Sequence, residues 1–244
     1  MGLIRAMLVV SLTSIPPRFG NLRQLVGSLK AQSRPPDRII VTIPEHYRRF
    51  PGHWRPPDIA GVTVFRPETD YGPAGKALGA MQVMDGQVCQ ILYCDDDWRF
   101  GPDWIAGFLA TAAARPPNEV IAASGFDIDR LGLISTHPPQ KPGQSTSRYV
   151  DIAQGFGGVL VQSRWLNAIA TPPPDIAWPV DDIWLSAHFA KVGLKIWMAG
   201  HLRQGAQPLP DPNSLQASTI DGQNRAAANR AAAEYLSKRY DIWR

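Results

Sequence analysis

Apolar positions along the chain change their period several times, and the changes outline alternating strands and helices. Met7-Leu8-Val9-Val10, continued by Leu12, is an apolar run of strand length, and the segment Ser14-Ile15-Pro16-Pro17 ends it because proline cannot continue a ladder. Leu22, Leu25, Val26 and Leu29 then recur at helical spacing, with Asn21 placed to cap, until Ser33-Arg34-Pro35-Pro36 breaks the pattern. Arg38 to Ile43 and Val62 to Phe65 read as two further strands, Gly75 to Met84 as a helix opened by Pro73, and Ile91 to Cys94 as a fourth strand. Beyond it the pattern predicts a helix from about Pro102 to Ala114, strands at 120–125 and 158–162, and a helix at 182–192 that Gly193 stops. A strand from Leu194 to Met198 and an Ala-rich helix from Ala226 to Arg239 complete the series. The polar stretch 135–148 reads as a surface loop and a candidate mobile cover over a site.

Strands alternating with helices imply right-handed crossovers and therefore an α/β fold, with a Rossmann-like, mostly parallel central sheet flanked by helices. Such sheets receive ligands at the carboxyl ends of their strands. At 244 residues the chain lies near the upper end of what one hydrophobic core supports, so a single domain over 1–244 is expected. No internal repeat is evident, since the Pro-Pro pairs at 16, 35, 56, 116 and 138 are irregularly spaced and mark loops.

The formal charge of +4 changes this picture little. The 25 Lys and Arg are scattered, without the clusters that mark nucleic-acid tracts, so no nucleic-acid partner is expected. A mildly basic surface suits an anionic substrate or a membrane periphery. Cys89 and Cys94 flank a predicted strand, where opposite-facing side chains disfavour a mutual disulfide, so they read as reduced core thiols of a cytosolic protein. Residues 1–14 lack the apolar stretch and cleavage site of a signal peptide, and no run approaches the roughly 18 apolar residues of a membrane span. A soluble, cytoplasmic chain is the expectation.

The chemistry centres on Asp95-Asp96-Asp97 at the end of a buried strand. Three adjacent carboxylates repel one another and lose hydration there, so a cation or strong hydrogen bonds must offset them. Alternation puts Asp95 and Asp97 on one side and turns Asp96 outward. Hard oxygen ligands at that spacing suit Mg²⁺ or Mn²⁺ bridging a diphosphate. The plain alternative is a solvated acidic turn capping the helix after Pro102.

Other motifs follow in a set order. They begin with Val10-Ser11-Leu12-Thr13-Ser14-Ile15-Pro16 and Arg18, then Ser28-Leu29, Gln32 and Pro36-Asp37-Arg38-Ile39-Ile40-Val41. After these come Asp70-Tyr71-Gly72-Pro73-Ala74-Gly75-Lys76, the acidic strand end, Gly155-Phe156-Gly157-Gly158 and Asp181-Asp182-Ile183-Trp184-Leu185, the match running to about His201. This succession resembles the GT-A glycosyltransferases and is similar to their family 2 type, with its bacterial polysaccharide relatives. The resemblance implies a GT-A-like domain with a nucleotide-binding half over about 1–100, an acceptor-binding half over about 101–205 and a helical tail over about 206–244.

It further implies transfer of a sugar from a UDP-, GDP- or TDP-linked donor to a saccharide or lipid-linked acceptor; the basic tail, read by its charge, adds an expectation of peripheral contact at the inner face of a membrane. Thr13, Ser14 and Arg18 would lie against the nucleotide, with Asp70 near the base and Lys76 near the phosphates. Asp95 and Asp96 join this donor set, while Asp95, Asp97 and His201 would hold Mn²⁺ or Mg²⁺. Asp181 and Asp182 correspond to the acidic pair of inverting relatives, the second being the base, with Asp in place of Glu at the first position.

Each of these residues also has a plainer reading. Lys76 near a helix start adds charge to the positive end of the dipole, yet it can be a solvated lysine, and Asp70 a turn residue. Asp181 can cap the following helix with Val180 and Trp184 as a staple. The glycines at 155, 157 and 158 permit close backbone approach or a tight turn. Trp104, Trp178 and Trp184 can serve as sugar platforms or as core. Two other activities fit less well: a sugar nucleotidyltransferase, whose early Gly-rich signature Ser11 to Arg18 lacks, and a catalytically silent nucleotide- or carbohydrate-binding module, for which Asp182 would be dispensable.

Overall fold

The computed structural model describes residues 6–138, 147–169, 172–210, 213, 222 and 224–244. Strand β1 (Met7–Thr13) leads into α1 (Leu22–Lys30), β2 (Arg38–Thr42) and β3 (Thr63–Phe65), and α2 (Gly75–Met84) connects to β4 (Cys89–Tyr93). The short β5 (Trp98–Arg99) precedes α3 (Trp104–Ala113), β6 (Glu119–Ala122) and β7 (Gly125–Phe126). Then follow β8 (Ser147–Val150), β9 (Ile152–Ala153), β10 (Val159–Gln162), α4 (Ser163–Asn167), α5 (Asp181–Lys191), β11 (Lys195–Ala199), β12 (Gln207–Pro208) and α6 (Arg225–Tyr240).

The main sheet has eight strands in the order β3-β2-β1-β4-β10-β6-β11-β8. β1 is parallel to β2 and β4, β2 to β3, and β6 to β11, whereas β10 runs against β4 and β6, and β8 against β11. The sheet is thus mostly parallel, as the alternation of elements implies. Its first strands are apolar on successive residues because both faces are covered. Leu8, Val10, Leu12, Ile39, Val41 and Leu92 point into one core with α1 and α3, while Val9, Ile40, Ile91 and Tyr93 point into the other with α2 and α5. Each large side chain buried this way contributes roughly 1.5–3 kcal/mol. Cys89 and Cys94 are free, buried and in opposite cores.

Helix α2 positions the site. A Cβ at Gly79 would collide with the Thr42 hydroxyl, and one at Gly75 would lie 3.0 Å from Thr13 Oγ1. These glycines let α2 press onto β1 and β2, which sets Lys76 beneath the strand ends.

Several expectations need revision. Asn21 does not cap α1, because its side-chain nitrogen donates to the Pro210 carbonyl at 2.6 Å. Asp181 is not a cap either: α5 is preceded by Val180, and the Asp181 carboxylate is engaged elsewhere. The stretch 135–148 is in part pinned, since Asp151 accepts from Ser135 Oγ at 2.6 Å and Thr136 Oγ1 at 2.6 Å, and residues 147–150 belong to β8. Positions 139–146 of that segment lie outside the described residues. No helix among the described residues is long and apolar enough to cross a membrane.

Candidate active site

A cleft of about 910 Å³ opens at the carboxyl ends of β1 and β4. Thr13 and Ser14 border it from β1, Asp95, Asp96 and Asp97 from β4, Asp70 from the approach to α2, and Asp181 and Asp182 from the start of α5. The structure therefore gathers most of the residues singled out in the sequence into one cavity.

The strand-end acids are arranged differently from simple alternation. β4 ends at Tyr93, and after the Cys94 amide donates to the Ser11 carbonyl at 3.0 Å the chain leaves the ladder, so the two-residue period no longer applies. Asp96 is then the enclosed member, 3% exposed, and not the outward one. It accepts from Ser14 Oγ at 2.5 Å and from Arg18 Nη1 at 2.8 Å. Burial raises its carboxyl above the ordinary value, while the Arg18 charge and the Ser14 hydrogen bond act the other way. Arg18 Nη1 also lies 3.4 Å from Asp97 Oδ2, so the loop after β1 ties two of the three acids together. Thr13 Oγ1 donates to the Thr42 carbonyl at 2.9 Å.

Lys76 is not the phosphate contact that its place near a helix start suggests. It is 1% exposed and does not line the cleft. Its ammonium contacts Asp95 Oδ1 and lies 2.8 Å from Asp181 Oδ2. Burial works to lower its pKa, but the charges of Asp181, Asp95 and Asp182 prevail and hold it well above the usual lysine range. Lys76 thus stays charged and clamps a carboxylate from each side of the cleft. Gly155 closes over it, since a Cβ there would strike Lys76 Nζ. Close approach is the reason for glycine at this position.

The Gly155 amide donates to Asp182 Oδ1 at 2.9 Å. Burial, and next the charge of Asp181, push the Asp182 carboxyl up to about 7. A carboxylate poised there on a cleft wall can accept a proton near neutral pH. Gly158, with φ at +101°, sits where a Cβ would strike Trp104, whose indole Nε1 donates to the Gly157 carbonyl at 3.0 Å.

Remaining assignments separate by burial. Trp104 stacks on Phe100 at 3.8 Å, and Trp184 is 1% exposed; both are core. Trp178 lines the cleft, with Arg48 5.1 Å above its ring and its Nε1 donating to the Asp70 carbonyl at 2.9 Å. Asp70 is a loop organiser: its carboxylate accepts the amides of Arg48 and Gly72, both at 2.8 Å. Burial raises its pKa, with those two amides opposing. His201 is exposed in the single turn Gly200–Arg203 and does not line the cleft, so the structure does not bring it to Asp95 and Asp97. Trp98 and Arg203 do line it, and no sequence motif flagged either one; only the adjacency of Trp98 to Asp97 could have.

Among the described residues no three His, Cys, Asp or Glu side chains converge as a ready-made metal cage. The donor chemistry nevertheless fits a hard divalent cation. Asp95 and Asp97 present carboxylate oxygens to the cleft, and Mg²⁺-type ions commonly take one or two carboxylates plus the phosphates of the substrate. Asp181 and Asp182 add two further carboxylates to the cleft, with Lys76 paired to Asp181 and Arg18 to Asp96.

Sheet order, helix placement and the cleft position together define a GT-A-like α/β fold. Solved structures that share it include the mannosyltransferase PcManGT from Pyrobaculum calidifontis in complex with GDP-Man and Mn²⁺, and S. aureus TarS 1-349. The first superposes with a TM-score of 0.53 over 81% of this chain at 12% identity, the second with 0.53 over 80% at 13%. The chain spans 56% and 58% of those two chains, and at such identities the likeness concerns the fold. No protein-family model matches the sequence, and no curated protein matches it.

Proposed function

We propose that the chain transfers a sugar from a UDP-, GDP- or TDP-linked donor to a hydroxyl of a saccharide or lipid-linked acceptor, with inversion. The observation that carries this reading is the single cleft that joins the Asp95–Asp97 group to Asp182, a carboxyl pushed up to about 7. The shared fold with PcManGT, whose complex holds GDP-Man and Mn²⁺, supports it.

In this mechanism the Asp182 carboxylate takes the proton of the acceptor hydroxyl as its oxygen bonds to the anomeric carbon. The bond from that carbon to the diphosphate oxygen breaks, and its electron pair leaves with the nucleoside diphosphate. Gly155 orients Asp182 through its amide, and Lys76 fixes Asp181 and Asp95. Arg18 and Ser14 hold Asp96, which shapes the strand end on which Asp95 and Asp97 sit. Asp95 and Asp97 would hold Mn²⁺ or Mg²⁺, which when bound supplies positive charge for the departing diphosphate. A cytoplasmic setting belongs to the same proposal and suits the free thiols Cys89 and Cys94.

Calorimetry with UDP, GDP and TDP, with and without Mn²⁺, tests this. One nucleotide should bind about tenfold or more tightly with the metal, a factor that corresponds to about 1.4 kcal/mol. Binding that ignores the metal, or no binding at all, defeats the metal-diphosphate reading.

A further inference from the structure

The cleft has two aromatic walls. One, at Tyr47, Phe50 and Trp178, adjoins Ser14 and Asp70, since the Tyr47 hydroxyl donates to the Ser14 carbonyl at 2.7 Å. The other joins three segments distant in sequence: Trp98 of β5, Phe156 of the Gly155–Gly157 turn, and Arg203 at the end of the Gly200–Arg203 turn. The Trp98 and Phe156 rings lie 5.5 Å apart and tilted by 37°. The Arg203 guanidinium lies 4.7 Å from the centre of Phe156 and 5.8 Å from that of Trp98.

This second wall is built, and its arginine is exposed to the cleft. A Cβ at Gly157 would lie 3.3 Å from Arg203 Cγ, so the glycine lets the arginine stem lie across the loop. Stacking on the rings restrains the guanidinium plane and leaves its N–H edges open. Among the described residues, no carboxylate or carbonyl takes those N–H groups; the two rings are the guanidinium's partners. Trp98 follows Asp97 directly, and Phe156 follows Gly155, whose amide holds Asp182. The wall therefore shares the cleft with the donor-side acids and with Asp182.

We propose that Trp98, Phe156 and Arg203 form the acceptor subsite, and that the acceptor is a saccharide bearing an anionic substituent, phosphate or carboxylate, beside the ring that is glycosylated. This rests on the glycosyl-transfer reading above. The rings cover the apolar face of a sugar, and the guanidinium takes the anion through paired N–H groups.

The test titrates glucose, glucose 6-phosphate, glucuronate and inorganic phosphate against the full chain by ligand-observed NMR. It is run both without nucleotide and with Mn²⁺ and the nucleoside diphosphate that binds. The anionic sugars should bind about tenfold more tightly than glucose, as expected for a hydrogen-bonded charge, and more tightly than phosphate alone. Comparison of the 6-phosphate with the carboxylate tells which anion fits. Arg203→Gln should remove the preference, and Phe156→Ala should weaken all three sugars, with nucleotide affinity unchanged in both. Equal binding of neutral and anionic sugars, phosphate as strong as sugar phosphate, or a loss of nucleotide affinity in Arg203→Gln would each overturn the assignment. A wild-type chain that binds nucleotide but shows no preference for anionic sugars defeats this inference alone, whereas a wild-type chain that binds no nucleotide defeats the glycosyl-transfer reading.

Discussion

The two sides of the cleft use the same residue type in opposite electrostatic settings. On the β4 side, Asp96 is enclosed, and the rise that burial brings is opposed first by the Arg18 charge and then by the Ser14 hydroxyl. On the α5 side, Asp182 accepts one backbone amide, and the neighbouring Asp181 charge adds to burial instead of opposing it. A carboxylate tied to a cation is framework, whereas one brought to about 7 is equipped to exchange a proton near neutrality. Lys76 lies between the two settings and keeps them at a fixed distance.

Asp182→Asn gives the largest expected effect. The amide keeps an acceptor for the Gly155 N–H but cannot take a proton, so transfer should fall about 10²–10⁴-fold with nucleotide affinity unchanged. Steady-state rates set beside calorimetry check this, and an equal rate loss with intact fold in Asp96→Asn would erase the contrast between the two sides. Lys76→Met comes next. It leaves Asp95 and Asp181 without their enclosed cation, and removing one partner of a buried pair costs about 3–5 kcal/mol. Urea unfolding reads it, and a change under about 1 kcal/mol would show that the clamp is not a buried pair in solution.

The pH dependence is subtler. The active form of Asp182 is the carboxylate, so the rate should decline below pH 7, with a midpoint near the raised value of about 7. In stability the sign is opposite. The folded state holds a proton that the unfolded chain has released, so this group's contribution is greatest at the acid end and is lost as pH rises through about 7. Asp181→Asn removes the second cause of the shift and should move the acid limb of the rate profile downward; an unmoved limb would mean that another group sets it.

Much of the arrangement was legible in the chain. An apolar strand followed by three acids, and acids opening a helix after Trp178-Pro179-Val180, place carboxylates at sheet and helix ends by local pattern alone. Gly155, Gly157 and Gly158 announced close approach, although what approaches is Lys76, Arg203 and Trp104. The orientation of Asp96 was not legible, because it depends on where β4 releases the chain. Nor was the burial of Lys76, which follows from the contact of Gly75 and Gly79 with Thr13 and Thr42 across two strands. The pair β5 and β12 escaped for a related reason: two residues of strand carry no period, and Trp98 meets Pro208 only through the fold.

By itself, then, the sequence determined the elements whose pattern repeats over a turn of helix or several residues of strand, and the presence of acids at their ends. Which acid meets which cation was decided by tertiary structure. Asp96 pairs with Arg18, Asp95 and Asp181 share Lys76, and Asp182 accepts a backbone amide while burial and the Asp181 charge outweigh the Lys76 and Arg225 charges that act on it. The physical reason is range: periodicity is a property of neighbours along the chain, whereas the protonation of a buried carboxylate depends on charges within a few ångströms in space, brought here from five separate segments.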